Sequence, residues 1–124
     1  MNDTKKLKYT KDHEWVLIEK DIATIGVTDF AQSELGDIIF VEFPNLDDVF
    51  RKNESVGTLE AVKTVADIFS PVSGSIVEIN SKLDSNPELI NSDPYNDGWI
   101  IKIKIDNSSE INSLLDLDSY NKLI

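Results

Sequence analysis

The sequence contains no cysteine and only one histidine, His13, and both shortages exclude kinds of site. Without cysteine there is no disulfide, thiolate metal site or cysteine nucleophile, so nothing points to an oxidising compartment. One histidine leaves little room for a histidine-based metal site or a catalytic triad. We therefore expect His13 to be structural, bonding a backbone group or capping a strand end. With no paired acid–base or nucleophile–base set visible, we expect a protein that is not an enzyme.

Positive charge is also scarce, since 12 Lys and Arg stand against 23 Asp and Glu, for a net charge of −11. Phosphate backbones repel such a surface, so we expect no nucleic-acid partner and no anionic membrane partner. The acidic excess either forms a face for basic patches on larger proteins or only keeps the chain in solution, and both interpretations stay open.

Long apolar runs are absent as well. The run Ile38-Ile39-Phe40-Val41 is far shorter than the roughly 20 residues that a membrane span needs. The segment from Met1 to Lys11 is polar and rich in lysine, without the apolar stretch of a signal peptide. We predict a cytoplasmic protein of bacterial type, or a mitochondrial matrix protein if this is a processed eukaryotic form.

The length of 124 residues predicts one domain, residues 1–124, with its own core. Period-2 alternation dominates and predicts a mostly-β chain with peripheral helices. We expect a hairpin of strands 14–19 and 22–27 around Lys20-Asp21, and then a short helix capped by Thr28 or Asp29 that ends at Gly36. Further expected elements are a strand over 37–43, strands within 55–79 and over 99–105, polar loops over 45–53 and 81–98, and a C-terminal helix capped by Ser108 or Ser109.

One lysine holds a position that suits chemical modification. Two β-prone runs meet at Val62-Lys63 with no Gly, Pro or Asn at the junction, which predicts a hairpin over about residues 55–69. In that hairpin Ala61 faces Thr64 and Glu60 faces Val65. A protruding Lys63 would offer its primary amine to a modifying enzyme, and acylation would leave a tethered arm at high local concentration. By residue type alone Lys63 is simply a solvated turn residue, and only its position in the hairpin favours modification.

The residues around this lysine resemble a known attachment site. Glu60-Ala61-Val62-Lys63-Thr64, followed by Ser70-Pro71-Val72-Ser73-Gly74, resembles the lipoyl/biotinyl attachment region. Biotin carriers place the lysine between two methionines, and the only methionine here is Met1, so biotin is disfavoured. From about Leu7 to Ile124 the chain resembles the glycine cleavage system H-protein family. The stretches that carry the resemblance are 9–16, 23–29, 31–38, 87–95 and 98–103.

That resemblance implies a fold and a function. The fold would be a flattened barrel-sandwich hybrid of two antiparallel sheets, as in lipoyl/biotinyl domains, with short peripheral helices and a C-terminal helix. The protein would be a non-catalytic carrier with lipoate attached covalently to Lys63, and Glu60 would belong to the attachment motif. This swinging arm would take the methylamine group of glycine from glycine decarboxylase, a pyridoxal-phosphate protein, to the tetrahydrofolate-dependent aminomethyltransferase. Dihydrolipoamide dehydrogenase would reoxidise the arm, and a lipoyl-attaching enzyme would modify Lys63.

The resemblance also implies a cleft for the loaded arm near Glu14 and Asp67. Carboxylates there would stabilise a cationic aminomethyl group in partly desolvated surroundings. Asp67 follows Lys63 by four residues, within reach of a folded arm, whereas only the resemblance brings Glu14 near. Asp12 would add a third negative charge. Ala61 stands where the family usually has serine, so we expect weaker recognition by the lipoyl-attaching enzyme without its loss.

Two alternatives remain beside this interpretation. The chain could be a lipoyl relay to 2-oxoacid dehydrogenases, or an unmodified adaptor module whose hairpin only docks to a partner. Lipoylation of Lys63 separates both carrier functions from the adaptor. Reconstitution with glycine decarboxylase separates the carrier of glycine cleavage from the relay.

Overall fold

The computed structural model of the chain describes residues 4–124, so Met1–Asp3, part of the lysine-rich N-terminal segment, lie outside the described residues. Nine strands form in this part of the chain: β1 (Lys8–Tyr9), β2 (Glu14–Glu19), β3 (Ile22–Val27), β4 (Ile38–Glu42), β5 (Val49–Phe50), β6 (Ser55–Ala61), β7 (Val65–Phe69), β8 (Gly74–Ile79) and β9 (Ile101–Ile105). The α-helices are α1 (Asp29–Leu35), α2 (Lys82–Ser85), α3 (Leu89–Ser92) and α4 (Leu117–Asn121), with 3₁₀ turns at Thr4–Lys6 and Ser108–Ser113.

The strands form two antiparallel sheets. The larger sheet has the order β1-β2-β3-β9-β8-β5, and the smaller one has the order β4-β6-β7. One core cluster draws buried side chains from both sheets, among them Ile25 and Ile103 from the larger sheet and Leu59 and Ile68 from the smaller. The expected sandwich of two antiparallel sheets with short peripheral helices and a C-terminal helix is confirmed, and the sheets are not closed into a barrel.

The β6–β7 hairpin has the predicted register. Glu60 pairs with Val65, and the backbone N–H of Ala61 donates to the carbonyl of Thr64 at 2.8 Å. Neither Val62 nor Lys63 has a positive φ, as expected for a turn of ordinary residues rather than a primed turn. The N–H of Val62 also donates to the carbonyl of Asp37 at 3.1 Å, which ties the turn to the start of β4.

The β2–β3 hairpin is also confirmed, and Lys20 occupies its turn with φ of 57°. At the opposite end of this hairpin, where Gly26 pairs with Trp15, a substituted Cβ at Gly26 would lie 2.5 Å from the Trp15 ring, so only glycine lets Trp15 lie across the sheet. The helix α1 follows at once. The Thr28 side chain accepts a hydrogen bond from the N–H of Ala31, and Gly36 ends the helix with φ of 80°, as predicted.

Four segments differ from the sequence-based expectation. Residues 8–9 form the strand β1, which was not expected and pairs with β2. Residues 81–98, expected as a loop, contain the one-turn helices α2 and α3, because buried Leu83 and Ile90 fix each turn against the core. Residues 45–53 contain the two-residue strand β5, which pairs with β8. Residues 108–113, expected as the start of the C-terminal helix, form a 3₁₀ turn capped by Asn107 rather than by Ser108 or Ser109. The α-helix itself begins at Leu117, and Asp116 caps it by accepting from the N–H of Ser119. No helix within residues 4–124 is long and apolar enough to cross a membrane.

Candidate functional site

Lys63 lies at the exposed end of the β6–β7 hairpin. The flanking residues Val62, Thr64 and Val65 are exposed as well. Within residues 4–124, no hydrogen bond or ion pair restrains the Lys63 side chain, while the backbone on either side is held by the turn's hydrogen bonds. The result is a mobile primary amine on a fixed backbone, which a modifying enzyme can reach.

A cleft of about 300 Å³ lies beside β7, an outer strand of the smaller sheet. One wall is the segment that enters β2, and another is α1. The floor includes Leu59 and Ala66, which face each other across β6 and β7. The lining residues are Asp12, His13, Glu14, Val27, Phe30, Ala31, Glu34, Leu35, Leu59, Ala66 and Asp67. The cleft is thus mainly apolar, with four carboxylates around it.

Glu14 is the buried carboxylate of this cleft, with only 2% of its surface exposed. Its Oε2 accepts a hydrogen bond from the backbone N–H of Phe69 at 2.8 Å, and its Oε1 accepts from the Thr10 hydroxyl at 2.8 Å. The pKa of Glu14 is raised to about 7. Burial is the main cause and nearby Asp12 adds to it, while the two hydrogen bonds act in the opposite direction. Near neutral pH this carboxyl group therefore exchanges readily between its neutral and charged forms.

Asp67 lies on the same cleft as Glu14. It is exposed and faces Thr58 across the hairpin, four residues beyond Lys63. Phe69, two residues further along β7, is the residue whose N–H binds Glu14, so β7 connects the two carboxylates directly. With Asp12 and Glu34 also at the cleft, its opening carries three exposed carboxylates, an arrangement that attracts cations.

A hydroxyl group behind the cleft joins its two walls. The Tyr120 hydroxyl lies 2.9 Å from Nδ1 of His13 and 2.7 Å from the hydroxyl of Thr28, the residue that caps α1. The His13 ring also contacts the Phe30 ring, with centroids 4.8 Å apart. These contacts fit the structural role that we expected for His13, but its ring binds a side chain from the C-terminal helix rather than a backbone group.

The structure brings the predicted carboxylates together. Glu14, Asp67 and Asp12 line one cleft, although Glu14 and Asp67 are 53 positions apart in the sequence. Lys63 lies outside this cleft at the hairpin tip, and Glu60 is exposed on the outer face of the smaller sheet.

The cleft also has a helical wall that the sequence-based list of site residues omitted. The cleft is lined by two pairs of α1 residues, Phe30 with Glu34 and Ala31 with Leu35, and this i, i+4 spacing was a usable signal. Its apolar members were visible as one side of the helix. Nothing in the sequence showed that this side faces β7, because that contact depends on how the sheets pack.

Comparisons with known proteins agree over nearly the whole chain. The family model described as "Glycine cleavage H-protein" matches residues 7–124. The chain is 49% identical over 119 residues to the "Glycine cleavage system H protein" of Staphylococcus carnosus, covering 96% of this chain and 94% of that protein. It is 50% identical over 115 residues to the protein of the same name from Symbiobacterium thermophilum, covering 93% and 90%. The crystal structure of a glycine cleavage system H protein from Mycobacterium marinum superposes with a TM-score of 0.87 at 33% identity, covering 95% of each chain.

Proposed function

This chain belongs to the glycine cleavage H-protein family, whose members are carrier subunits rather than catalysts, and we propose that it carries the methylamine group of glycine on a lipoylated Lys63. In this proposal glycine decarboxylase loads the carrier and the aminomethyltransferase unloads it. Dihydrolipoamide dehydrogenase then restores its oxidised form, and a lipoyl-attaching enzyme modifies Lys63 beforehand. A cytoplasmic location stays a prediction.

The position of Lys63 is the observation that carries the proposal. Its amine is exposed, and the pair Glu60–Val65 together with the hydrogen bonds of Ala61 and Val62 holds the turn beneath it. A lipoyl group in amide linkage to Nζ supplies a redox-active disulfide on a flexible tether. The residues at the tip fit such a group, because exposed Val62 and Val65 offer apolar surface beside it and no neighbouring side chain competes for the amine.

The cleft lies within reach of a group attached at Lys63. Asp67 lies four positions after Lys63, which is at most about 13 Å at the rise of a strand. A chain of roughly twelve bonds beyond Cα, as in a lipoyl-lysine, spans about 14 Å when extended. Asp67 can therefore stabilise a cation carried at the end of that chain.

Glu14 would hold the cargo through its charge. An aminomethyl group is cationic near neutral pH, and a cation in the cleft favours the ionised form of Glu14. Loading would thus lower the pKa of Glu14 from its value of about 7. The apolar floor at Leu59 and Ala66 would exclude water, so the attraction is stronger there than at the surface.

The test is intact mass and peptide mapping after incubation with a lipoyl-protein ligase, lipoate and ATP. We expect one lipoyl increment, confined to the peptide with Lys63 and lost in Lys63→Arg. Lys20→Arg is the matched control, because Lys20 also occupies an exposed hairpin turn, and it should be modified as fully as the unaltered chain. A folded sample that stays unmodified while a known carrier is lipoylated alongside it would favour the adaptor instead.

A further inference from the structure

Two large apolar side chains next to each other, Ile39 and Phe40, are half exposed on an edge strand close to Lys63. Their exposed fractions are 53% and 52%. The cause is a β-bulge in β4, where Ile38 pairs with Ala61 but Phe40 pairs with Glu60, so that Ile39 is the extra residue. A bulge alone protects an edge from pairing, and charged side chains serve that purpose best. Ile39 and Phe40 instead leave apolar surface on this edge, and such surface points to a partner where it joins a larger patch.

Phe40 belongs to a row that crosses the smaller sheet beside the hairpin tip. Phe40 pairs with Glu60, and Glu60 pairs with Val65, whose exposed fraction is 60%. We call Phe40, Glu60 and Val65 the tip row. Cross-strand neighbours lie about 5 Å apart, so the tip row is a continuous strip with an acid between two apolar side chains.

The charges behind the tip row have one sign. In the next row, Glu42 pairs with Thr58 and Thr58 pairs with Asp67, so this face presents the carboxylates Glu42, Glu60 and Asp67. Lys63 is the one base of the hairpin 55–69, and acylation neutralises it. A complementary partner surface is therefore basic with apolar contacts.

The length of the Lys63 side chain determines which enzyme must contact the tip row. An unmodified lysine extends only about 6 Å beyond its Cα, at about 1.2 Å per bond. The enzyme that acylates Lys63 must bring its catalytic centre to that distance, and the tip row lies about 7 Å back along the strands. Enzymes that act on the far end of a lipoylated arm can stay further away.

We propose that the tip row is the docking surface for the lipoyl-attaching enzyme, with Phe40 and Val65 as recognition residues contributed by the strands on either side of Glu60. The partner surface is apolar and basic. This inference rests on the lipoylation of Lys63 proposed above. It adds that recognition requires the folded sheet, since Phe40 lies 23 positions before Lys63.

The experiment compares initial rates of lipoylation by a lipoyl-protein ligase on the full chain. We expect Phe40→Thr to lower kcat/KM about tenfold and Val65→Thr about threefold, mainly through KM, because docking contributes uniform binding. Phe40→Lys should lower it further, since it places a positive charge against a basic surface. Higher salt should raise KM for the unaltered chain.

Val49→Thr is the matched control. Val49 is an exposed valine on a short edge strand of the larger sheet, with 75% of its surface exposed, and we expect lipoylation at the unaltered rate. Urea midpoints would verify that each variant is folded. Val65→Thr and Val49→Thr make the same chemical change at an exposed edge strand. If only Val65→Thr lowers the lipoylation rate, the cause is the position of Val65 and not a change in β propensity.

Several outcomes would overturn the proposal. Equal lipoylation rates for all variants would reject docking at the tip row and leave the modification of Lys63 intact. Normal lipoylation of Phe40→Thr followed by slow loading by glycine decarboxylase would assign the face to that enzyme. Self-association of the unaltered chain that Phe40→Thr abolishes would assign it to a second copy. Absence of lipoylation in the unaltered chain would instead reject the proposed function itself.

Discussion

Two hairpins of this molecule present an exposed lysine, and only one of them has the surroundings of an attachment site. Lys20 in the β2–β3 turn has charged neighbours, Glu19 and Asp21, and a left-handed φ of 57°. Lys63 in the β6–β7 turn has an ordinary backbone conformation and exposed apolar neighbours. An exposed lysine in a turn is therefore not a functional signal by itself. What distinguishes Lys63 is the surface that an enzyme meets around it and the acidic cleft within reach.

The same contrast holds for the carboxylates beside each hairpin. Strand β2 begins with Glu14 and ends with Glu19. Glu19 is exposed next to the Lys20 turn, whereas Glu14 is buried against β7 of the Lys63 hairpin with its oxygens bonded by Phe69 and Thr10. One strand thus carries an ordinary surface charge at one end and a perturbed carboxyl group at the other.

The largest effect is expected when the lysine is moved by one residue within its turn. The double variant Val62→Lys with Lys63→Val should be lipoylated at least about 100-fold more slowly, because neighbouring side chains project differently and a small misplacement at a catalytic centre costs that much. The corresponding exchange in the other turn, Lys20→Asp with Asp21→Lys, should leave the rate of lipoylation at Lys63 unchanged. Mass spectrometry of timed samples measures both rates. Modification of the shifted lysine at the unaltered rate would show that exposure alone suffices.

Glu14→Gln should change the pH dependence of stability. The pKa of Glu14 is raised from 4.5 to about 7 in the folded chain, so folding favours the protonated form. Its stabilising contribution is complete below pH 4.5 and is lost as the pH rises to about 7. The free energy of unfolding of the variant minus that of the unaltered chain should therefore be up to roughly 3 kcal/mol larger at pH 8 than at pH 4. Urea unfolding across this range measures it, and parallel profiles for the two chains would contradict a raised pKa.

Asp67→Asn should speed the loss of bound methylamine from the loaded carrier. The cleft would keep Glu14 but lose one of its negative charges, and we expect release about fivefold faster. Asp21→Asn removes a carboxylate beside the other turn lysine and is the control, with an unchanged rate. Release of labelled methylamine after loading by glycine decarboxylase is the measurement. An unchanged rate in Asp67→Asn would remove Asp67 from this role.

The smallest effect concerns the backbone of the two turns. Lys20→Gly should stabilise the fold by about 1 kcal/mol, because glycine adopts the left-handed conformation without the steric cost that lysine bears. Lys63→Gly should destabilise it by about 0.5 kcal/mol, since no such cost is relieved and the unfolded chain gains entropy. Midpoints of urea unfolding compare the two. A stabilising Lys63→Gly would show that its turn is strained as well.

Local pattern predicted much of the fold. Both hairpins, the cap at Thr28 and the helix end at Gly36 follow from period-2 alternation and turn chemistry, which act over a few residues. Helices α2 and α3 were missed because a single turn shows no periodicity, and the strands β1 and β5 are too short to alternate. These elements depend on packing against distant parts of the chain.

The candidate site likewise has features that local sequence predicts and features that depend on how distant segments pack. Asp67 could be placed near Lys63 from the register of one hairpin, which is local. The burial of Glu14 and its bond to Phe69 could not, because they join two sheets. The residues of the tip row also come from three strands, and the bulge that exposes Phe40 left no recognisable signal in the sequence.

Exchange of labelled bicarbonate into glycine, catalysed by glycine decarboxylase, is the most direct test of a carrier of methylamine. The chain lipoylated at Lys63 should support exchange, while unmodified chain and Lys63→Arg give only the blank. If the lipoylated chain also gives only the blank while a known H protein is active alongside it, Lys63 serves a different client and the proposed role in glycine cleavage is wrong.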